Sequence, residues 1–255
     1  TAFIGRVHDD ALGQFYAQSM QDSGTDFVNA PVPGGELPTS RSMIFVSPDG
    51  ERSMNTYLGI STELGTDDVP DAVASQSEMI FLEGYLFDKD KGKDAFRQAA
   101  RLTRGAGGKS GIAISDPFCV DRHRADFLDM IGNELDYVIG NQHEITSLFE
   151  TEDLEAALAK TADMIPLVIC TRSGDGVTII GDGERHDIPV ETVTPVDATG
   201  AGDQFAAGFL YGLISGRDLA TCGRMGNLCA AEVISHVGPR PQKDMATVFR
   251  AEGLM

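Results

Sequence analysis

The chain has 255 residues, enough for one sizeable core, and its 39 acidic against 20 basic residues leave a net charge of −19. With no Lys/Arg run, that charge repels polyanions and excludes nucleic acid as a partner; taken alone it describes a soluble acidic protein. No secretory segment and no apolar span of the ~18 residues that would cross a membrane is present. The four cysteines (Cys119, Cys170, Cys222, Cys229) form no C-x-x-C pair, so the expected location is the reducing cytoplasm.

The chain opens "TAFIGRVHDDALG", without an initiator methionine and already inside an apolar, strand-like run. Residues 39–59 alternate as a β-hairpin turning at Pro48-Asp49-Gly50, an excursion from the main sheet that can serve as a lid over 37–60. The period then changes. Apolar runs at 78–87, 111–117, 135–141 and 166–172 alternate with helical stretches at 90–104, 121–131 and 153–163. Such alternation predicts βαβ units and an α/β fold, a mainly parallel central sheet with helices on both faces, whose ligands bind beyond the carboxyl ends of the strands. Asp116, Asn141 and Thr171 stand at such ends. No repeat, low-complexity tract or linker interrupts the chain, so a single domain over 1–255 is expected.

Two glycine-rich stretches fail as nucleotide loops. "RLTRGAGGKSG" places Thr103 where a Walker loop needs glycine, and it follows a helix and precedes a strand, the reverse of the required order. The dinucleotide fingerprint fails at Ser110, Ile179 and Phe205. The five histidines adopt no ligand spacing, so no transition-metal site built from protein alone is expected.

The stretch "TPVDATGAGDQFAAGFLYGL" (194–213) is different. Phe205, Ala206, Phe209, Leu210 and Leu213 recur at helical spacing, predicting a helix from about Gly200 that packs this face on the sheet. Its first turn is Gly-Ala-Gly-Asp: bare amides at the positive end of a helix dipole, open to a phosphate, with the Asp203 carboxylate placed to take a proton from an incoming hydroxyl. An ordinary acid near a helix start is the plainer reading of those four residues.

"DATGAGDQFAAGF" resembles the C-terminal signature of the ribokinase, or PfkB, family of sugar and nucleoside kinases. "IGRVHDDALG", "GNQHE" and "TRSGDG" resemble further family segments in the same order, the last with its first glycine one place late. The resemblance runs from residue 4 to about 240 and implies a ribokinase-like fold with a small β lid. It implies that Asp203 is the catalytic base, with Gly200, Ala201 and Gly202 completing the anion hole. Asn141 and Glu144 would organise Mg²⁺ through water, Thr171, Gly174 and Gly176 would pass along ATP, and Asn227, His236 and Gly238 would edge the adenine. Asp197 would help hold a monovalent cation such as K⁺, and Arg52 would be a lid arginine over the reacting phosphates.

Family members also carry an early strand with a substrate-binding acid and a Gly-Gly-x-x-x-Asn segment, neither of which is found here. The expectation is that an N-terminal segment is missing from this sequence, and the specificity half of the site with it. The segments "GERSMNTYLG" and "HVGPRP" resemble the adenosine-kinase branch. The implied activity is ATP-dependent phosphorylation of a primary hydroxyl on a nucleoside, adenosine first, or on ribose, fructose or another sugar. A nucleotide-binding sensor without catalysis is the reading from another class. No membrane partner is expected, and two copies could pair through the lid.

Overall fold

The computed structural model describes every residue except Glu191. The chain divides into two compact units, one comprising Thr1–Met43 and Met54–Leu135, the other Ile44–Ser53 and Asp136–Met255.

In the first unit, β1 (Ala2–Phe3) runs parallel to β2 (Asp26–Phe27), with α1 (Ala11–Asp22) between them. Asp10 caps α1, accepting from the Gly13 amide at 2.8 Å and from the Thr39 amide at 2.9 Å. The hairpin forms as expected, from β3 (Arg41–Val46) and β4 (Arg52–Tyr57), its tip Ile44–Ser53 counting with the second unit, and its strand residues are exposed throughout. After α2 (Asp71–Gln76), β5 (Met79–Glu83) pairs in parallel with β6 (Lys109–Ala113), connected by α3 (Asp90–Gly105). Ala95, Phe96, Ala99, Ala100 and Thr103 form the buried face of α3, the 3.6-residue period of an amphipathic helix. Helix α4 (Pro117–Asn133) starts at the Asp116 cap, and its Phe127 ring stacks on Phe87 at 4.0 Å. Asp116 is thus a helix cap.

In the second unit, β7 (Tyr137–Asn141), α5 (Gln142–Leu148), α6 (Leu154–Met164) and β8 (Leu167–Thr171) build a parallel β-α-β crossover in which Asn141 stands opposite Thr171. Strands β9 (Val177–Gly181) and β10 (Glu184–Ile188) continue antiparallel from β8. The sequence reading did not place this hairpin. Its turn is Asp182-Gly183, both at positive φ (52° and 78°), the Asp-Gly dipeptide that two-residue hairpins favour.

Helices α7 (Ala201–Ile214) and α8 (Leu219–Val233) pack closely because α7 is bare where they meet. A Cβ on Gly208 would stand 2.6 Å from the Met225 carbonyl oxygen. Phe205, Ala206 and Phe209 are buried as the helical pattern predicts. Helix α9 (Met245–Ala251) closes the chain, Phe249 joining Leu254, Met225 and Cys229 in one apolar cluster. The fold class is the expected one, α/β with a mainly parallel central sheet and helices.

Candidate active site

The entry to α7 forms the centre of the site. Gly200 turns the chain at φ 82°, a left-handed conformation that glycine adopts without strain, and its missing Cβ leaves room for Pro239, 2.8 Å from where that atom would be. The first helical bond is made by the Gln204 amide to the Gly200 oxygen at 2.9 Å, and the Ala201 amide reaches only the Ala198 oxygen at 3.4 Å. Among the described residues, the amides of Gly202 and Asp203 have no backbone acceptor outside the helix. A Cβ on Gly202 would meet nothing within 4 Å. Open donors, a helix N-terminus and empty space together suit a phosphate.

Asp203 reaches solvent at the mouth of this loop, yet the surrounding protein desolvates its carboxyl and pushes it above the usual carboxylate range, the Arg52 charge pulling it back. Arg52 makes no hydrogen bond or ion pair among the described residues, but its field acts on Asp203 and Asp197 alike. The exposed side chain is carried just beyond the hairpin tip, whose backbone is docked. The Gly50 oxygen accepts from the Ala198 amide at 3.0 Å, and Gly50 lies against Pro195, so the turn carrying the arginine docks directly on the anion loop.

Asp197 is 2% exposed and ties two segments together, one carboxylate oxygen taking the Thr199 amide and the other the Gly238 amide, each at 2.9 Å. Its carboxyl sits below the usual range, owing first to the Thr199 hydroxyl and then to the Gly238 amide. That hydroxyl favours the anion by proximity alone. It lies outside good hydrogen-bond geometry and is a buried oxygen without a partner.

Asn141 and Glu144 form a reciprocal capping box at the start of α5. The Asn141 side chain accepts from the Glu144 amide at 2.9 Å, while the Glu144 carboxylate takes the Asn141 amide at 2.9 Å and its side-chain nitrogen at 2.7 Å. Glu144 is 7% exposed. Thr171 ends β8 beside Asn141 in the strand register. In the turn that follows, the left-handed position is filled by Ser173 at φ 49°, Gly174 borders open space, and Gly176 takes φ 87° against the Ile188 oxygen. Asn227 is buried and donates to the Pro189 oxygen at 3.1 Å; His236 lies 3.4 Å from the Glu232 carboxylate.

A hydrogen bond joins Asp197 to Gly238, Gly200 leads into the turn that carries Asp203, and Arg52 acts on both carboxylates through its charge alone, with Asn141 and Thr171 as a second pair on neighbouring strand ends. The sequence reading named Gly50 only as part of the hairpin turn and did not single out Thr199 or Glu232. Among the described residues no cluster of three or more His, Cys, Asp or Glu side chains could hold a metal. No helix is long and apolar enough to cross a membrane. A groove of about 550 Å³ along α3 in the first unit is lined by Arg97, Arg101 and Arg104, but Arg97 is already paired with Asp129 and Glu134.

The fold, with an open anion loop at a helix N-terminus beside a desolvated carboxylate, is that of the ribokinase-like kinases, enzymes that transfer a phosphoryl group to an alcohol. The family model of the pfkB family carbohydrate kinases matches residues 1–245, and the chain belongs to that family. A protein described as an uncharacterized sugar kinase from Archaeoglobus fulgidus is 30% identical over 246 residues, covering 94% of this chain and 93% of that protein. The crystal structure of a probable sugar kinase from Rhizobium etli superposes with a TM-score of 0.96 at 40% identity, covering 100% of this chain and 77% of that one. Adenosine kinase from Sinorhizobium meliloti gives a TM-score of 0.95 at 43% identity, with 98% and 77% covered.

Proposed function

We propose that this kinase transfers the γ-phosphoryl group of ATP to a primary hydroxyl of a nucleoside, adenosine first, in the cytoplasm. The carrying observation is the pairing of open amides at Gly202 and Asp203 with the desolvated Asp203 carboxylate. The substrate oxygen forms its bond to the γ-phosphorus as the bond to the β-bridging oxygen breaks. Asp203 takes the hydroxyl proton, and ADP leaves. The amides of Gly200, Ala201, Gly202 and Asp203 cradle the migrating group, and Arg52 supplies a positive charge carried on the hairpin whose turn docks on this loop.

Thr171, Gly174 and Gly176 run beside the nucleotide, with Asn227, His236 and Gly238 edging the base. Asn141 and Glu144 have their polar atoms committed to the capping box, which suits them to hold the waters of Mg²⁺ rather than the ion itself; the ion neutralises phosphate charge when bound. Asp197 keeps free lone pairs beside the unpartnered Thr199 hydroxyl, a place for K⁺. The exposed apolar side chains of the hairpin, Met43 and Phe45 among them, give a surface for a second copy.

A free sugar such as ribose or fructose is the second reading, favoured by the likeness to the Archaeoglobus and Rhizobium proteins. The test is ADP release over a panel of nucleosides and sugars, with and without K⁺. Adenosine as the best acceptor by kcat/KM supports the first reading. A sugar preferred over every nucleoside replaces it with the second, and ATP binding without turnover on any acceptor sinks both.

A further inference from the structure

We infer that Glu232 is a positioning residue for nucleotide binding: it fastens both ends of the 235–243 segment, whose middle walls the anion loop. The inference rests on the kinase reading above.

Glu232 lies in the last turn of α8 and is 7% exposed, and among the described residues no lysine or arginine pairs with it. A carboxylate so placed is costly unless hydrogen-bonded, and here the bonds all run to one segment. At its near end, the Glu232 carbonyl accepts from the Ser235 amide at 3.1 Å and the Ser235 hydroxyl at 2.6 Å. At its far end, Oε1 accepts from the amides of Gln242 and Lys243, both at 3.0 Å. Oε2 faces His236 Nε2 at 3.4 Å.

Between these ends the segment touches the site at three points. Gly238 donates to Asp197 at 2.9 Å, the Pro239 oxygen accepts from Gln204 at 3.3 Å, and the Pro239 ring fills the space beside Gly200. Segment and anion loop are thus tied together; the main-chain carbonyl of Glu232 holds the near end whatever the side chain, and the carboxylate fastens the far end. Without it the Gln242 and Lys243 amides lose their acceptor. The segment then opens locally, because α9 stays anchored to α8 through Phe249, Leu254, Met225 and Cys229.

The test compares wild type, Glu232→Ala and Glu232→Gln in the 255-residue chain by ATP titration, steady-state kinetics and amide hydrogen exchange. Glutamine keeps a carbonyl oxygen that can accept both amides. Alanine is expected to raise KM and Kd for ATP at least ~5-fold, the equivalent of about one kcal/mol, with kcat changed less than ~2-fold and faster exchange at 242 and 243; glutamine should stay within ~2-fold of wild type. Should the alanine variant not fold, Glu232→Met fills the same volume without an acceptor and takes its place. A variant that speeds exchange or lowers Tm while leaving KM for ATP unchanged overturns the inference, as does glutamine failing like alanine. If wild type binds no ATP, the kinase reading falls, and exchange alone decides the fastening: faster exchange in the alanine variant upholds it, unchanged exchange overturns it.

Discussion

Replacing Asp203 by asparagine separates transfer chemistry from binding and from folding in one molecule. Asparagine keeps the volume and leaves the open amides of α7 in place, but it cannot accept the substrate proton. Loss of a general base lowers turnover by ~10²–10⁴, about 3–5 kcal/mol of transition-state stabilisation at ~1.4 kcal/mol per decade. ATP affinity, which rests on backbone donors, should change little.

Stability should move the other way. Desolvation raises the folded-state pKa of Asp203 above its unfolded value, so the ionised carboxylate opposes folding at neutral pH, and that opposition disappears as pH falls through the raised pKa and below the unfolded value near 3.8. The asparagine variant should therefore melt at a higher Tm than wild type at pH 7 and lose the advantage near pH 3.5. ADP release, ATP titration and thermal melts at the two pH values measure all three effects. A variant that keeps kcat within ~3-fold of wild type, or melts lower at pH 7, refutes the reasoning and leaves Asp203 a helix-end acid.

Arg52→Ala removes the charge that holds the Asp203 carboxyl down, so the acidic limb of the kcat/KM profile should shift to higher pH, together with a loss of turnover; an unmoved limb would show that the arginine does not act on the base. Gly202→Val places a branched side chain in empty space, so Tm should hold while ATP affinity and turnover fall, whereas Gly200→Ala forces a Cβ against Pro239 at positive φ and should cost at least ~1–2 kcal/mol in denaturant titrations. Asp10, brought down to about 2 first by the Thr39 amide and then by the Gly13 amide, stabilises the fold above the unfolded carboxyl pKa near 3.8, and that contribution drains away as pH falls toward 2. Asp10→Asn should flatten the stability profile between these limits, measured as denaturant midpoints.

Helix α7 was legible because two signals coincide on it, a bare first turn and an apolar face at helical spacing. The parallel strands were legible as apolar runs, and the 39–59 hairpin as alternation around a Pro-Asp-Gly turn. What escaped depended on pairings that no local pattern encodes. Glu232 looks like any acid on a helix, and the partners of its carboxylate are amides ten and eleven residues further on. In the "TRSGDG" turn, spacing assigns the loop to its glycines, yet the left-handed position falls on Ser173, a conformation that serine adopts only under constraint from its surroundings. The β9–β10 hairpin could have been found from its Asp-Gly turn alone.

The bond from the Ala198 amide to the Gly50 oxygen also bears on the order of assembly. The hairpin turn is synthesised early and the anion loop late, so the two halves of this contact meet only when most of the chain exists. Closing so long a loop is entropically slow, and until it closes the entry to α7 lacks the partner that fixes Ala198. Closure does not cover the ribbon: Met43, Phe45 and Met54 stay exposed in the folded chain, an apolar face prone to stick to its neighbours before and after the contact forms. The Gly50–Ala198 bond thus has to wait until the β7–β8 crossover, which precedes Ala198 in sequence, has been synthesised.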